Sequence, residues 1–189
     1  MQKEKIVIGI AGNIGSGKGT VTKYLTEKYK AQQMRYSKIL ADILERLHLD
    51  YNRDNLNALA EGLRNIFGGD ILSQVLENDI REVEAVIVVF DGIRKKKELD
   101  YFKNKTENFF FIFVETPFEV VAKRLASRQE KTDDQEQTVE KLKARQQQPS
   151  DKDVPNLKQY ADFVIDNSGS IEDTHKQIDE IMNKTKKKR

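Results

Sequence analysis

The chemistry of this chain concentrates in Gly12-Asn13-Ile14-Gly15-Ser16-Gly17-Lys18-Gly19-Thr20, a glycine-rich stretch carrying one lysine and two hydroxyl side chains. Glycines leave backbone N–H groups free to converge on an anion, and a helix starting at the same point turns its positive end toward that charge. Lys18 then reaches the β- and γ-phosphates of a nucleotide. A phosphate-holding loop of this type usually has Ser or Thr directly after the lysine. Here that position is Gly19, so the hydroxyl beside Mg²⁺ falls to Thr20 in preference to Ser16. The expected donor-nucleotide set runs from Gly12 through Asn13, Ile14, Gly15, Ser16, Gly17, Lys18, Gly19 and Thr20 to Val21.

Moving a phosphoryl group also requires its charge to be covered and its acceptor aligned. Asp91 closes an apolar run and can hold Mg²⁺ through water or accept a proton. Arg94 follows in Asp91-Gly92-Ile93-Arg94. Arginine offers a planar, always-charged fork suited to phosphate. Arg64 and Arg94, with Ser37, are expected at the acceptor. Arg124 and Arg128, one helical turn apart, are expected to close over the transferring group, with Arg145 on the far flank of the same excursion. Asp42 is the one other carboxylate placed to act as a base. Arg35, Arg46 and Arg53 are read as surface residues, and His48 and His175 receive no role.

These residues need a scaffold. Ile6–Ala11 before the loop, Ala85–Phe90, Phe109–Val114 and the shorter Asp162–Ile165 are runs of strand length, apolar at nearly every position, and Gln33–Tyr36 is a fifth strand candidate. Strands apolar on both faces belong to a parallel sheet covered by helices on both sides. The expectation is an α/β fold of three layers with about five parallel strands, in one domain spanning 1–189. Ligands of such sheets bind at the carboxyl ends of the strands, which places 12–20, Asp91–Arg94 and Glu115–Pro117 on one edge. Helical patterns at 37–47, 53–67 and 70–81 form an insertion between strands. The polar stretch 128–153 is too long for a plain connection and is read as part of a lid.

Composition bounds the rest. The 189 residues are 38% hydrophobic and 34% charged, with a formal net charge of +2. Near-neutral balance gives no reason to expect nucleic acid as a partner, and no protein partner is indicated. The chain has no cysteine, which excludes disulfides and thiolate chemistry. No stretch has the length and apolarity of a membrane span, and no signal-peptide pattern opens the chain, so a cytoplasmic protein without membrane attachment is expected. The basic 184–189 tail is read as a solvated terminus.

On these residues the chain resembles the nucleoside monophosphate kinase group of P-loop proteins. Gly12 to Thr20 is similar to the adenylate kinase form Gly-x-x-Gly-x-Gly-Lys-Gly-Thr, including the glycine after Lys18. The resemblance implies transfer of the ATP γ-phosphate with Mg²⁺, an acceptor-binding insertion at about 37–82 and a lid at about 124–153. The chain also resembles dephospho-CoA kinases, at Gly9–Lys18 and at Ala161-Asp162-Phe163-Val164-Ile165-Asp166-Asn167-Ser168-Gly169-Ser170. In such kinases that last turn lies near the adenine, which implies a base contact for Asn167 and Gly169. Arg53-Asp54-Asn55-Leu56, Gly62-Leu63-Arg64 and Asp91-Gly92-Ile93-Arg94 look more like deoxynucleoside monophosphate kinases. A nucleoside or deoxynucleoside monophosphate is therefore the expected small-molecule acceptor. Dephospho-CoA is the alternative, and a nucleotide-binding regulatory ATPase is the alternative from another class.

Overall fold

The apolar runs form one five-stranded, wholly parallel sheet: β1 Ile6–Ala11, β2 Gln32–Arg35, β3 Ile87–Asp91, β4 Phe109–Glu115 and β5 Phe163–Asp166, in the order β2-β3-β1-β4-β5. The structure is a computed structural model that describes residues 5–129, 139–148 and 151–187. Of the expected lid, residues 130–138 and 149–150 and the side chains of Arg128 and Arg145 lie outside the described residues.

Side-chain alternation explains why the strands read as continuous apolar runs. Val7 and Ala11 of β1, Val88 and Phe90 of β3, and Phe109, Phe111 and Phe113 of β4 face one core. Ile6, Ile8 and Ile10, Ile87 and Val89, and Phe110, Ile112 and Val114 face the other. The second core is closed by α1 Lys18–Tyr29 and α8 Ile171–Lys187; the first by α2 Tyr36–Arg46, α3 Arg53–Phe67, α4 Ile71–Glu82 and α5 Lys96–Lys105. Burying one side chain of the size of Phe90, Phe102 or Phe111 contributes about 1.5–3 kcal/mol, and all three are fully buried. The three layers therefore follow from two apolar faces that both require cover.

Helices α2, α3 and α4 lie between β2 and β3 in the chain, where the insertion was expected. The Asn52 side chain accepts from the Asn55 amide at 2.9 Å and fixes the start of α3. Two helices complete the order, α6 Phe118–Gln129 and α7 Val139–Gln146, followed by a 3₁₀ turn at Val154–Tyr160. Some boundaries differ from expectation. Tyr36 opens α2 instead of closing β2, and β3 starts at Ile87 and includes Asp91. Neither α5 nor the 3₁₀ turn was expected. Because β1, β3 and β4 run in parallel, Ala11, Asp91 and Glu115 end on the same edge, and the site is built there.

Candidate active site

The loop between β1 and α1 adopts the backbone that its glycines permit. Gly12, Gly15 and Gly17 all have positive φ, at 153°, 82° and 93°. At Gly17 a Cβ would lie 2.0 Å from the Asn167 amide nitrogen. That closeness serves a junction: Asn167 donates to the Ser16 carbonyl at 2.9 Å and accepts from Thr174 Oγ1 at 2.8 Å, while Thr116 Oγ1 donates to the same carbonyl at 2.9 Å. The loop is thus tied to the ends of β4 and β5. Gly19 is different, since its φ is not left-handed and a Cβ there meets nothing within 4 Å. Gly19→Ala is expected to stabilise the protein by about 0.5–1 kcal/mol, the helical cost of glycine. Gly17→Ala is expected to destabilise it by more than that, and thermal unfolding of the pair checks both.

Lys18 bends back over the loop, its ammonium donating to the Gly12 and Asn13 carbonyls at 2.7 and 3.0 Å. Burial holds its pKa below 10.5; Asp91 and Asp151 oppose that shift and Arg94 adds to it. Beside Lys18 lies a cavity of about 380 Å³, walled by the loop, Asp91–Arg94, Gln146, Gln147, Asp151, Lys152, Val154 and Pro155. A second cavity, of about 790 Å³, opens between α2, α3, α4 and the start of α5. Arg53, Asp91, Gly92 and Arg94 line both. Two spaces thus meet at one carboxylate and two guanidinium groups, which is the geometry a donor and an acceptor need for direct transfer.

Among the described residues the Asp91 carboxylate makes no side-chain hydrogen bond or close ion pair, although its charge acts on Lys18, and no cluster of three or more metal-ligating side chains exists. That donor set suits Mg²⁺, which binds through one or two carboxylates together with substrate phosphates and water. Ser16 Oγ is buried without a partner, and neither Ser16 nor Thr20 lines a cavity.

The remaining expected residues divide. Ser37, Arg64 and Arg94 all line the larger cavity. Arg64 is held there by Glu98, which is fully buried and accepts from Arg64 Nε at 3.1 Å and Nη2 at 2.6 Å. The other oxygen of Glu98 accepts from the Arg94 and Lys95 amides at 2.9 and 3.2 Å, so one carboxylate fixes both expected acceptor arginines and starts α5. Arg124 sits elsewhere than expected: it donates to the Asn167 and Gly169 carbonyls at 2.7 and 2.9 Å, fastening α6 to the turn after β5. Asn167 is buried with its amide engaged inside the protein, so the implied base contact of its side chain is replaced by a contact to the phosphate loop. Asp42 is bonded to Lys38 on an exposed face away from both cavities and does not enter the site.

Two residues that line the cavities carry no sequence signal, Arg53 and Asp151. Arg53, expected on the surface, lines both cavities, and it shares Asp151 with Arg94: Arg53 Nη2 lies 3.6 Å from Oδ2 and Arg94 Nε lies 3.7 Å from Oδ1. The pair joins the insertion to the stretch after α7. No local pattern marks a contact between positions so far apart in the chain.

Fold and site together define a P-loop protein of the kinase-like α/β class. A family model described as AAA domain matches residues 11–143. The UPF0200 protein of Sulfurisphaera tokodaii is 30% identical over 179 residues, covering 93% of this chain and 95% of that protein. The UPF0200 protein of Methanoregula boonei is 28% identical over 176 residues, covering 93% and 95%. The chain belongs to the AAA domain group of P-loop proteins and to the UPF0200 family. Among solved structures, TT1252 from Thermus thermophilus superposes with a TM-score of 0.65 at 21% identity, covering 96% of this chain and 98% of that one. Shikimate kinase from Aquifex aeolicus gives 0.55 at 16%, covering 94% and 96%, and dephospho-CoA kinase from Campylobacter jejuni gives 0.52 at 19%, covering 96% and 98%. These likenesses concern the fold. No helix among the described residues is long and apolar enough to cross a membrane.

Proposed function

We propose that this protein is an ATP-dependent phosphotransferase acting on a small anionic acceptor, a nucleoside or deoxynucleoside monophosphate. The observation that carries the reading is the junction of the two cavities at Asp91, Arg53 and Arg94. ATP would lay its phosphates along Gly12–Lys18, with the γ-phosphate facing the larger cavity. The acceptor oxygen attacks the γ-phosphorus, the bond from that phosphorus to the β,γ-bridging oxygen breaks, and ADP leaves with the electron pair. Lys18 and the two arginines cover the charge that spreads over the transferring group. Mg²⁺, when bound with ATP, supplies further neutralisation of the β- and γ-oxygens, held by Asp91 and by the Thr20 or Ser16 hydroxyl. A monophosphate already presents an ionised oxygen and needs no base. The mouth of the larger cavity, with Arg53, Arg64, Arg94 and Lys95–Lys97, suits its charge.

An alcohol acceptor such as dephospho-CoA is the second reading, favoured by the Asp91 carboxylate, which makes no side-chain hydrogen bond and could take the hydroxyl proton. ADP release from ATP across nucleoside monophosphates, their deoxy forms and dephospho-CoA separates the readings. Acceptor-dependent release with a monophosphate is expected. Release only with dephospho-CoA would move the assignment to the second reading, and release without any acceptor would leave an ATPase.

A further inference from the structure

Deepening the kinase reading and resting on it, we propose that α3 reads the base of the acceptor and that this base is guanine. Two stripes of α3 face the larger cavity. The inner one, Leu56, Ala60 and Arg64, continues the apolar wall made by Leu40 and Leu72 and ends in the arginine held by Glu98. The outer one, Arg53, Asn57, Glu61 and Asn65, repeats every four residues, so its members stand one above another on one face. Arg53, at the donor end, is shared with the smaller cavity. Asn57 is half-buried, and Glu61 and Asn65 are exposed. Among the described residues none of these three side chains makes a hydrogen bond or ion pair. They are three unengaged polar groups on a cavity whose lining combines the apolar Leu40, Leu56, Ala60 and Leu72 with the cationic Arg64, Arg94 and Lys95–Lys97.

Their order matches a nucleotide lying along the helix. With its phosphate at Arg53 and Arg94, positions one and two turns further on are Asn57 and Glu61, the latter about 12 Å along the axis. That is where the base of a nucleoside monophosphate falls. A carboxylate is acceptor-only, whereas an amide both donates and accepts. Guanine offers two adjacent N–H donors beside one carbonyl, so Glu61 takes the donor pair and an asparagine amide donates to the carbonyl. Uracil and thymine set carbonyl oxygens against Glu61. Adenine and cytosine offer a single amino group beside a ring acceptor, which leaves one carboxylate oxygen unmatched. An unmatched polar group at a filled site discriminates by about 10–100-fold.

The test is initial-rate kinetics with ATP and GMP, AMP, CMP or UMP, with their deoxy forms, for the wild type and for Glu61→Gln. The wild type is expected to favour the guanine nucleotides at least about tenfold in kcat/KM. Glu61→Gln, an exposed change that leaves the fold intact, is expected to remove that preference while KM for ATP stays within about twofold. Equal use of all bases by the wild type, or an unchanged preference in Glu61→Gln, overturns the proposal. Should the wild type phosphorylate no nucleotide, the monophosphate reading fails on its own, and calorimetric titration of GMP and AMP into both proteins still decides. GMP binding weakened about tenfold by the substitution upholds base reading by Glu61, and GMP binding that is absent or indifferent to it sinks the proposal.

Discussion

Lys18→Met is expected to lower phosphoryl transfer by roughly 10²–10³-fold, the loss typical of one preorganised charge at the reacting group, without lowering the thermal midpoint of the nucleotide-free protein. The two halves of that result have one cause. Burial holds the Lys18 pKa below 10.5, so in the absence of phosphate the folded protein favours the neutral amine more than the unfolded chain does. At neutral pH the ammonium therefore opposes folding, and this cost fades as pH rises toward 10.5. Methionine removes the cost and fills a similar volume, and the Gly12 and Asn13 carbonyls that lose a donor belong to residues lining the smaller cavity, which gives water room to replace it. Phosphate binding reverses the sign, because an anion beside Lys18 favours the protonated form. Wild-type ATP affinity should accordingly fall as pH rises through the depressed Lys18 pKa, and Lys18→Met should lack that fall. ADP release, thermal unfolding with and without ATP, and affinity against pH make the three measurements. A variant that still turns over, and still gains thermal stability from ATP, would show that the donor lies elsewhere.

Such an arrangement, costly to the empty protein and useful to the loaded one, was legible in the sequence because glycine and lysine leave local signatures. The same holds for the sheet. A parallel strand buried on both faces must be apolar at successive positions, and Ile6–Ala11 and Phe109–Glu115 are. Strand direction then places Asp91 beside the loop with no further information. What stayed hidden depends on partners distant in sequence. Helix α5 begins Lys-Lys-Glu-Leu and buries only Glu98, Leu99 and Phe102, too few apolar positions to announce a helix. Its start is set by Glu98 capping the Arg94 and Lys95 amides, which the strand–turn reading of Asp91-Gly92-Ile93-Arg94 passed over. Arg53 read as a surface residue because nothing near it in the chain differs from an exposed helix start. Its role appears only when Asp151 arrives from the other end of the fold. Asn167 shows the converse, since its turn was recognised but its amide closes against Gly17 instead of facing outward.

Glu98→Leu is expected to cost about 3–5 kcal/mol of stability, the loss on breaking a buried ion pair from one side. For a chain of this length that lowers the thermal midpoint by roughly 6–20 °C. Glu98 is fully buried and Arg64 is only about one-fifth exposed, so removing the carboxylate strands a guanidinium with little access to water. Two backbone amides at the start of α5 lose their acceptor as well. Glu98→Gln keeps an acceptor for those amides and should cost less, about 1–3 kcal/mol. Adding Arg64→Leu to Glu98→Leu should recover most of the loss, because the stranded charge is then gone and the α3–α5 contact becomes apolar. Chemical denaturation of the two singles and the double forms the cycle, and additive losses would mean that the pair is not coupled. The recovered double mutant should remain impaired as a kinase, because it lacks Arg64, one of the two arginines proposed for the acceptor; the Glu98→Leu single, which keeps Arg64, tests positioning. Glu98 holds Arg64 from α3 and the backbone of Arg94 after β3 to one carboxyl group, so the spacing of the two acceptor arginines depends on it. Acceptor KM should rise while KM for ATP, set by the loop at Gly12–Lys18, is preserved. Stability restored without acceptor affinity would separate the folding role of this buried pair from the part Arg64 plays at the acceptor.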